Sequence, residues 1–378
     1  MRIGILTLPS HANYGGILQT YALQTVLENL GHNVIVFHKN VDGVRKISAK
    51  VYPFVLLKRF LRKCFINHSV IVFLESKRRR EASIITRNTD GFITKYIHTN
   101  QVTALKEISP VGLDAIVVGS DQIWRPNYFE LMWKAAIQDA FLKFSKEWDI
   151  KRVAYAVSFG VDRWQYSNEE TLECKNLVQL FDAVSVRETS ALKLCSNNLA
   201  VKAKLVLDPT LLLNADDYLK LIAETNIACE NGELFAYILD ETKEKRDIIA
   251  KVSDDLGIAP HKMVLNNCDF SVPVERRVIP PVEQWLKWFY DAKFVVTDSF
   301  HGCVFSIIFR KPFVAIGNAN RGMSRFLSLL RLFNLEHHLL SCAEDYSSFS
   351  SYALPLDLDN RIANLKEQSL EFLKTNLS

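Results

Sequence analysis

Short apolar runs alternate with amphipathic stretches from the first residues of the chain. "RIGILTLP" is a continuous apolar run typical of a buried strand, and "SHANYGG" is a polar turn. "ILQTYALQTVLENLG" has the apolar spacing of a helix that ends at Gly31, and "NVIVFHK" predicts a second strand. The order strand, helix, strand indicates a parallel sheet covered by helices.

The same pattern recurs along the chain and restarts near its middle. Apolar runs at 115–119, 152–160, 183–186 and 203–209 predict strands, and a new series begins with "ELFAYILD" at 233–240. We therefore predict an α/β protein with two Rossmann-type, doubly wound domains. The predicted parts are an N-terminal domain at 1–210 with a basic helical insert at about 40–82, a C-terminal domain at 211–359, and a final helix at 360–378.

Ligands of such sheets bind outside the carboxyl ends of the strands, which selects the loops to inspect. The first loop, "NYGGILQ", offers Asn13, Gly15, Gly16 and Gln19 at a helix N-terminus. Free N–H groups beside glycines favour anions or sugar oxygens, although no P-loop lysine follows. A tight turn that needs glycine only for packing is the alternative.

The second loop, "VVGSDQIWRPNY", places Ser120, Asp121 and Trp124 directly after an apolar strand. Polar groups beside an aromatic ring are typical of sugar binding. The alternative interpretation of this segment is a helix cap beside a tryptophan of the core.

Arginines also follow predicted strands. Arg187 ends the strand "AVSV" and is suited to a phosphate or carboxylate, or to a surface ion pair with Glu188. Farther along, "GNANRGMSR" contains Asn318, Arg321 and Arg325, which suit a phosphate or simply a solvated helix start.

His301 stands at the polar break of "FVVTDSFHGCVFSIIF", between a predicted strand and a buried helix. A structural histidine is one interpretation. The strand-end position favours a functional one. A helix N-terminus lowers an imidazole pKa, so we expect His301 to be neutral until an anionic ligand raises the pKa and makes it a general acid.

Composition narrows the class of protein. Hydrophobic residues make up 48% of the 378 and charged residues 23%, as in globular proteins. Seven cysteines without a CxxC pair favour a reducing compartment and no metal site. The N-terminal run is interpreted as a strand rather than a signal peptide, and no apolar stretch is long enough to span a membrane. We expect a cytoplasmic protein.

Charge is concentrated in the predicted insert. Residues 39–80 hold twelve Lys and Arg against Asp42 and Glu75, a net charge of +10, so the rest carries −6 of the total of +4. Within this window "LLKRFLRKCF" has apolar residues on one helical side and Lys58, Arg59, Arg62 and Lys63 on the other. This pattern favours a helix on an anionic membrane surface, at the inner face of the plasma membrane. A solvated basic face is the alternative, and no motif indicates nucleic acid.

Taken in order, "NYGGILQTYALQ", "VVGSDQIW", "SVRETSALKL", "LVLDPTLLL" and "TDSFHGCVFSIIFRKPFVAI" resemble the polysaccharide pyruvyl transferase family. The resemblance implies a glycosyltransferase-B-like fold with a cleft between two domains. It also implies transfer of the pyruvyl group of phosphoenolpyruvate to two hydroxyls of one sugar, giving a cyclic ketal and phosphate. Phosphoenolpyruvate is then a co-substrate, no cofactor is expected, and the acceptor is a surface polysaccharide or its polyprenyl-diphosphate-linked precursor.

The resemblance also implies roles for residues. His301 matches the family histidine and is assigned as the acid, and Arg187 matches a donor-binding arginine. Ser299 stands where many members have an arginine, and Gly16 where many have an aspartate, which leaves Asp121 as a candidate base. Ser299, Asn318, Arg321 and Arg325 complete the predicted donor side, and the residues of the first two loops the acceptor side.

Two other functions fit the same fold. A nucleotide-sugar-dependent glycosyltransferase would need a nucleoside site in the C-terminal half, for which the sequence shows no motif. A glycan-binding protein without catalysis is favoured only by Ser299 and Gly16.

Overall fold

The computed structural model describes residues 1–9, 12–40, 47–48, 50–225, 234–264, 269–317 and 322–378. Its first half is a seven-stranded parallel sheet in the order β3-β2-β1-β4-β5-β6-β7. The strands are β1 Arg2–Leu6, β2 Asn33–His38, β3 Thr99–Gln101, β4 Ala115–Gly119, β5 Lys151–Val157, β6 Ala183–Val186 and β7 Lys204–Leu205.

The second half is a five-stranded parallel sheet in the order β12-β11-β10-β8-β9. Its strands are β8 Leu234–Ile238, β9 Pro260–Val264, β10 Phe294–Thr297, β11 Phe313–Ile316 and β12 Leu339–Leu340. Two parallel sheets covered by helices confirm the predicted α/β fold. The strand order reverses between β1 and β4 in one sheet and between β8 and β10 in the other, and such switch points are where doubly wound sheets bind ligands.

The helices lie between the strands as the periodicity predicts. They are α1 Tyr14–Asn29, α2 Tyr52–Phe65, α3 Leu74–Ile85, α4 Arg87–Tyr96, α5 Pro126–Trp133, α6 Asn168–Val178, α7 Thr189–Leu194, α8 Ala215–Ala223, α9 Lys243–Leu256, α10 Val282–Asp291, α11 Phe300–Ile308, α12 Met323–Leu332 and α13 Leu358–Asn376. In the described ranges, no helix has the length and apolar character to cross a bilayer.

Helix α1 joins the two halves. It begins at Tyr14, so Gly15 and Gly16 lie in its first turn rather than in the turn that precedes it. The Tyr14 ring stacks on Trp285 of α10 at 5.2 Å, and its hydroxyl donates to the Pro280 carbonyl at 2.7 Å. The largest cluster of buried apolar side chains therefore runs from Ile3 of the first sheet to Trp285 under the second.

The final helix returns to the first domain. In α13, the Ser369 hydroxyl accepts a hydrogen bond from the Leu207 amide at 3.0 Å, and Phe372 packs beside Tyr155 of β5. The chain crosses between the domains a second time through this helix, in agreement with the expected glycosyltransferase-B-like arrangement.

A buried ion pair fixes the turn after β10. Asp298 is fully buried and accepts hydrogen bonds from the amides of Leu239 and Asp240 at 2.7 and 3.2 Å, and from Lys245 Nζ at 2.6 Å. It therefore ties the carboxyl end of β10 to that of β8 across the switch point. The start of α11, and with it His301, is positioned by this contact.

Replacing Lys245 with Met is expected to destabilise the protein by about 3–5 kcal/mol, because Asp298 would remain buried without its cation. The exposed pair Arg246 and Glu241, at 3.7 Å in the same region, supplies the matched control. Arg246→Met is expected to cost no more than about 1 kcal/mol. Urea unfolding measures both, and equal losses from the two variants would contradict a structural role for Asp298.

Candidate active site between the sheets

Loops at the carboxyl ends of the two sheets contact each other. A Cβ built on Gly15, after β1, would lie 2.0 Å from His301 Nδ1, after β10. A Cβ on Gly322, after β11, would lie 2.1 Å from the carbonyl oxygen of Gly160, after β5. Both approaches are closer than a side chain allows. The sequence therefore needs glycine at Gly15 and Gly322 for the two domains to meet.

His301 lies at this junction, in the first turn of α11. Ser299 caps the helix, since its hydroxyl accepts from the Gly302 amide at 3.3 Å. The His301 ring is buried, and its Nε2 has no hydrogen-bond partner among the described residues. The nearest carboxylate oxygen, Asp208 Oδ2, is 3.8 Å away.

Burial is the main reason why the pKa of His301 is lowered to about 4, and Asp208 opposes this effect. The direction of the shift agrees with the expectation, and desolvation is its main cause. At neutral pH the ring is uncharged and has one unsatisfied nitrogen. An unpartnered buried imidazole is poised to bind a polar ligand or to exchange a proton with it.

The N-terminus of α1 faces His301. Asn13 occupies the cap position but makes no capping hydrogen bond through its side chain. The first-turn N–H groups of an α-helix have no partner within the helix, so those of Gly15 and Gly16 are available to an anion. This arrangement suits a negatively charged group placed between α1 and His301.

Arg187 forms the centre of a buried charge cluster at the end of β6. Its Nη1 donates to Asp208 Oδ2 at 2.6 Å and to Gln19 Oε1 at 3.0 Å, and its Nη2 donates to Asp121 Oδ1 at 3.1 Å. The guanidinium lies 4.8 Å from the centre of the Phe300 ring. Burial lowers the pKa of Arg187, but Asp208 and Asp121 outweigh that effect and raise it.

Two acidic residues of the cluster were not among the predicted site residues. Burial raises the pKa of Asp208, but Arg187 and His301 outweigh it, and the net shift is downward. Glu188 is also buried, accepts from the Ser158 hydroxyl at 2.8 Å, and has a pKa that burial raises. The strand-end rule applied to "LVLDP" would have found Asp208, whereas nothing in the sequence shows that Glu188 points inward.

The loop after β4 is held in an unusual backbone conformation. Ser120 and Asp121 have φ of 41° and 52°, which non-glycine residues rarely adopt. Gln19 stabilises it, because its Oε1 accepts from the Ser120 hydroxyl at 2.7 Å and the Asp121 amide at 3.1 Å. Because the same oxygen also accepts from Arg187, Gln19 holds both the Asp121 backbone and the Arg187 side chain in position.

Trp124 lies in the core, which corrects the sugar-stacking expectation. Its ring is fully buried, stacks on Phe141 at 4.5 Å, and donates through Nε1 to the Ala140 carbonyl at 3.2 Å. A ring packed in this way has no free face for a sugar. The geometry therefore supports the alternative interpretation of "VVGSDQIW", in which the tryptophan belongs to the core.

Arg325 completes the described part of the cluster. It lies in the first turn of α12 and is buried, with its guanidinium 5.6 Å from the centre of the Phe300 ring, so the guanidinium groups of Arg187 and Arg325 both lie near this ring. Burial, with Arg187 adding to it, lowers the pKa of Arg325 to about 10. The other predicted donor residues of this loop, Asn318 and Arg321, lie outside the described residues.

Comparisons with known proteins agree with the sequence pattern. The family model for polysaccharide pyruvyl transferase matches residues 13–320. No curated protein matches the chain significantly. Among solved structures, UDP-GlcNAc 2-epimerase from Neisseria meningitidis bound to UDP-GlcNAc is 11% identical, with a TM-score of 0.49, and the alignment covers 100% of this chain and 99% of that one. Arabidopsis thaliana UGT89C1 complexed with UDP-L-rhamnose is 10% identical, with a TM-score of 0.48 and coverage of 98% and 94%.

Gly15→Ala is expected to displace His301, because the new methyl group would overlap its ring. A misplacement of about 1 Å costs on the order of 100-fold in rate when the displaced group takes part in the reaction. Phosphate release from phosphoenolpyruvate, the co-substrate that the resemblance implies, measures the loss in the presence of acceptor, and thermal unfolding shows whether the fold persists.

Gly91→Ala is the matched control, since it lies in α4 and a Cβ there meets nothing within 4 Å. We expect it to retain full activity. Full activity of Gly15→Ala in a folded protein would contradict the close approach of Gly15 and His301.

Proposed function

The chain belongs to the polysaccharide pyruvyl transferase family, and on that premise we propose that it transfers the pyruvyl group of phosphoenolpyruvate to two hydroxyls of one sugar. The products are a cyclic ketal and inorganic phosphate. The family implies a polysaccharide acceptor. We propose that the acceptor is a surface polysaccharide or its polyprenyl-diphosphate-linked precursor.

The observation that carries the proposal is the Nε2 of His301, which has no hydrogen-bond partner among the described residues. The reaction begins with protonation of the methylene carbon of an enol phosphate, which needs a proton donor shielded from water. His301 is buried and faces the first-turn N–H groups of α1, which have no partner within the helix and favour an anion. On this proposal the donor phosphate lies at α1, and its charge, together with Asp208, stabilises the protonated imidazole.

The proposed steps balance in protons. His301 donates one proton to carbon 3, and the resulting oxocarbenium ion at carbon 2 is attacked by one sugar hydroxyl. Loss of phosphate regenerates an electrophile, and the second hydroxyl closes the ring. The two hydroxyls release two protons: one returns to His301, and the other is taken up by a base and passes to the departing phosphate.

Asp121 is the proposed base. Its side chain is 10% exposed, whereas that of Asp208 is 1% exposed, so Asp121 is the more accessible partner of Arg187. If the donor carboxylate takes the place of Asp121 at Arg187 Nη2, Arg187 binds the donor and Asp121 is released toward the acceptor hydroxyls. Arg325, which also lies near Phe300, is proposed to complement the donor charge.

Removing the acid tests the proposal directly. The purified protein is incubated with phosphoenolpyruvate and a lipid-linked oligosaccharide pool, and phosphate release and the pyruvyl mass gain on the glycan are measured. His301→Gln is expected to lower the rate by about 10²–10⁴-fold, the usual worth of a general acid. His338→Gln is the control, because His338 is also buried with a lowered pKa but contacts the Phe313 carbonyl elsewhere in the second domain.

The same assay separates the alternative functions. Turnover only with a nucleotide sugar would replace the proposal with glycosyl transfer, and glycan binding without any turnover would replace it with a binding role. An unchanged rate in His301→Gln would remove His301 from the mechanism.

Donor binding is expected to take up protons. Free His301, with its pKa at about 4, is unprotonated at pH 7, so raising this pKa by an anionic donor requires a proton from solvent. Donor affinity should therefore fall as the pH rises through the raised pKa of the complex. Titration calorimetry in buffers of different ionisation enthalpy measures the uptake.

His301→Gln serves as the reference in this titration, because it retains any protonation of the phosphate itself. We expect less proton uptake in the variant than in the wild-type protein. Equal uptake by the two proteins would show that His301 does not bind the proton.

A further inference from the structure

Helix α2 exposes a continuous apolar surface. None of its residues is buried, and six large apolar side chains on and just after it face solvent. Phe65 is 81% exposed, Ile66 76% and Phe54 72%, values that are unusual for side chains of this size. Contiguous exposed apolar surfaces on globular proteins mark interaction sites. We name this surface the apolar ridge; it consists of Phe54, Leu57, Phe60, Leu61, Phe65 and Ile66.

The orientation of α2 is fixed by its opposite side. Arg59 donates to both carboxylate oxygens of Glu75 at 2.7 and 2.8 Å, and to the Val72 carbonyl at 3.3 Å. Val55 and Leu56 on the same side are half-buried. Because Phe54, Leu57, Leu61 and Phe65 follow one another at intervals of three or four residues, they share the face turned away from this contact.

Basic residues border the apolar ridge. Lys58, Arg62 and Lys63 are exposed and lie on the same helix. Arg59 is different, since its bidentate pair with Glu75 gives it a structural role, which corrects the expectation that all four basic residues contact a membrane. Three cations beside an apolar face form the pattern of a helix that lies in a lipid interface.

We propose that α2 binds an anionic lipid bilayer in the plane of its surface. The apolar ridge enters the boundary between headgroups and acyl chains, and Lys58, Arg62 and Lys63 contact the lipid phosphates. This inference goes beyond the proposed reaction and does not depend on it, because it stands on the surface of α2 alone.

Charge complementarity favours an anionic bilayer over a second copy of the chain and over a nucleic acid. A second copy paired through the same ridge would bring the three cations of each helix together. A nucleic acid would use the cations but leave the apolar ridge in water. An anionic bilayer satisfies both features.

Vesicle flotation of the full chain tests the proposal. Vesicles of phosphatidylcholine alone are compared with vesicles that also contain phosphatidylglycerol, at low and high salt. The basic variant is Lys58→Gln, Arg62→Gln, Lys63→Gln, and the ridge variant is Leu57→Gln, Leu61→Gln, Phe65→Gln. Control variants change exposed residues elsewhere: Lys175→Gln, Lys193→Gln, Lys202→Gln for charge, and Leu131→Gln, Leu172→Gln for apolar surface.

The wild-type protein and both controls are expected to float with anionic vesicles, and less so at high salt. The basic variant should bind about 100-fold more weakly, since each basic residue near such a surface contributes roughly fivefold. The ridge variant should lose binding as well, while circular dichroism shows unchanged helix content. Phosphate release with a water-soluble acceptor should be the same in all variants, so a failure of the proposed reaction is distinguished from a failure of membrane binding.

Three results would overturn the proposal. One is the absence of wild-type binding to anionic vesicles. Another is equal binding by the wild-type protein and the ridge variant. The last is a dimer, seen by light scattering, that the ridge variant converts to a monomer, because the ridge would then be covered by a second copy.

Discussion

Arg187 is the charge on which the centre of the molecule depends. A guanidinium whose side chain is 1% exposed must be neutralised where it lies, since desolvating an ion costs several kcal/mol. Asp208 and Asp121 supply the charge and Gln19 an additional acceptor, and these three residues come from the loop after β7, the loop after β4 and helix α1. The ion cluster therefore specifies how α1 and the loops after β4 and β7 are arranged around the end of β6.

Closing the two domains over this cluster requires backbone contacts that side chains would prevent. Gly15 approaches His301, and Gly322 approaches Gly160, at separations that leave no room for a Cβ. Gly160 and Gly322 also have φ of 73° and 87°, conformations that glycine adopts without strain. Water is excluded as a consequence, and the loss of water lowers the pKa of His301. Packing thus determines the protonation state of the residue proposed as the acid.

The sequence predicted the sheets well because they are built from local signals. Continuous apolar runs marked the strands, and the strand-end rule selected the loops of Asp121, Arg187 and His301, which the structure brings together. The start of α1 was missed because two adjacent glycines usually favour a turn over a helix. Here the requirement for close approach to His301 overrides that preference.

Partnerships between distant residues were beyond what the sequence could show. Arg187 pairs with Asp208, 21 residues away, and no periodicity indicates which carboxylate will face which cation. Trp124 follows a strand just as a ligand-binding aromatic would, and only its contacts with Phe141 reveal a core position. Phe300 lies near both Arg187 and Arg325, an arrangement that depends on two domains meeting.

The charge balance of the cluster constrains the proposed reaction. Among the described residues of the cluster, Arg187 and Arg325 stand against Asp121, Asp208 and Glu188, while His301 is neutral. A donor with a phosphate and a carboxylate adds further negative charge to a region that is already balanced toward the negative. Binding is favourable only if a proton accompanies the donor or a carboxylate moves away. Burial raises the pKa of Glu188, an anionic donor would raise the pKa of His301, and Asp121 is the most accessible of the three carboxylates. A buried site must stay close to neutral, so binding of the anionic donor favours uptake of a proton. The proposed reaction needs such a proton for its first step, the protonation of carbon 3.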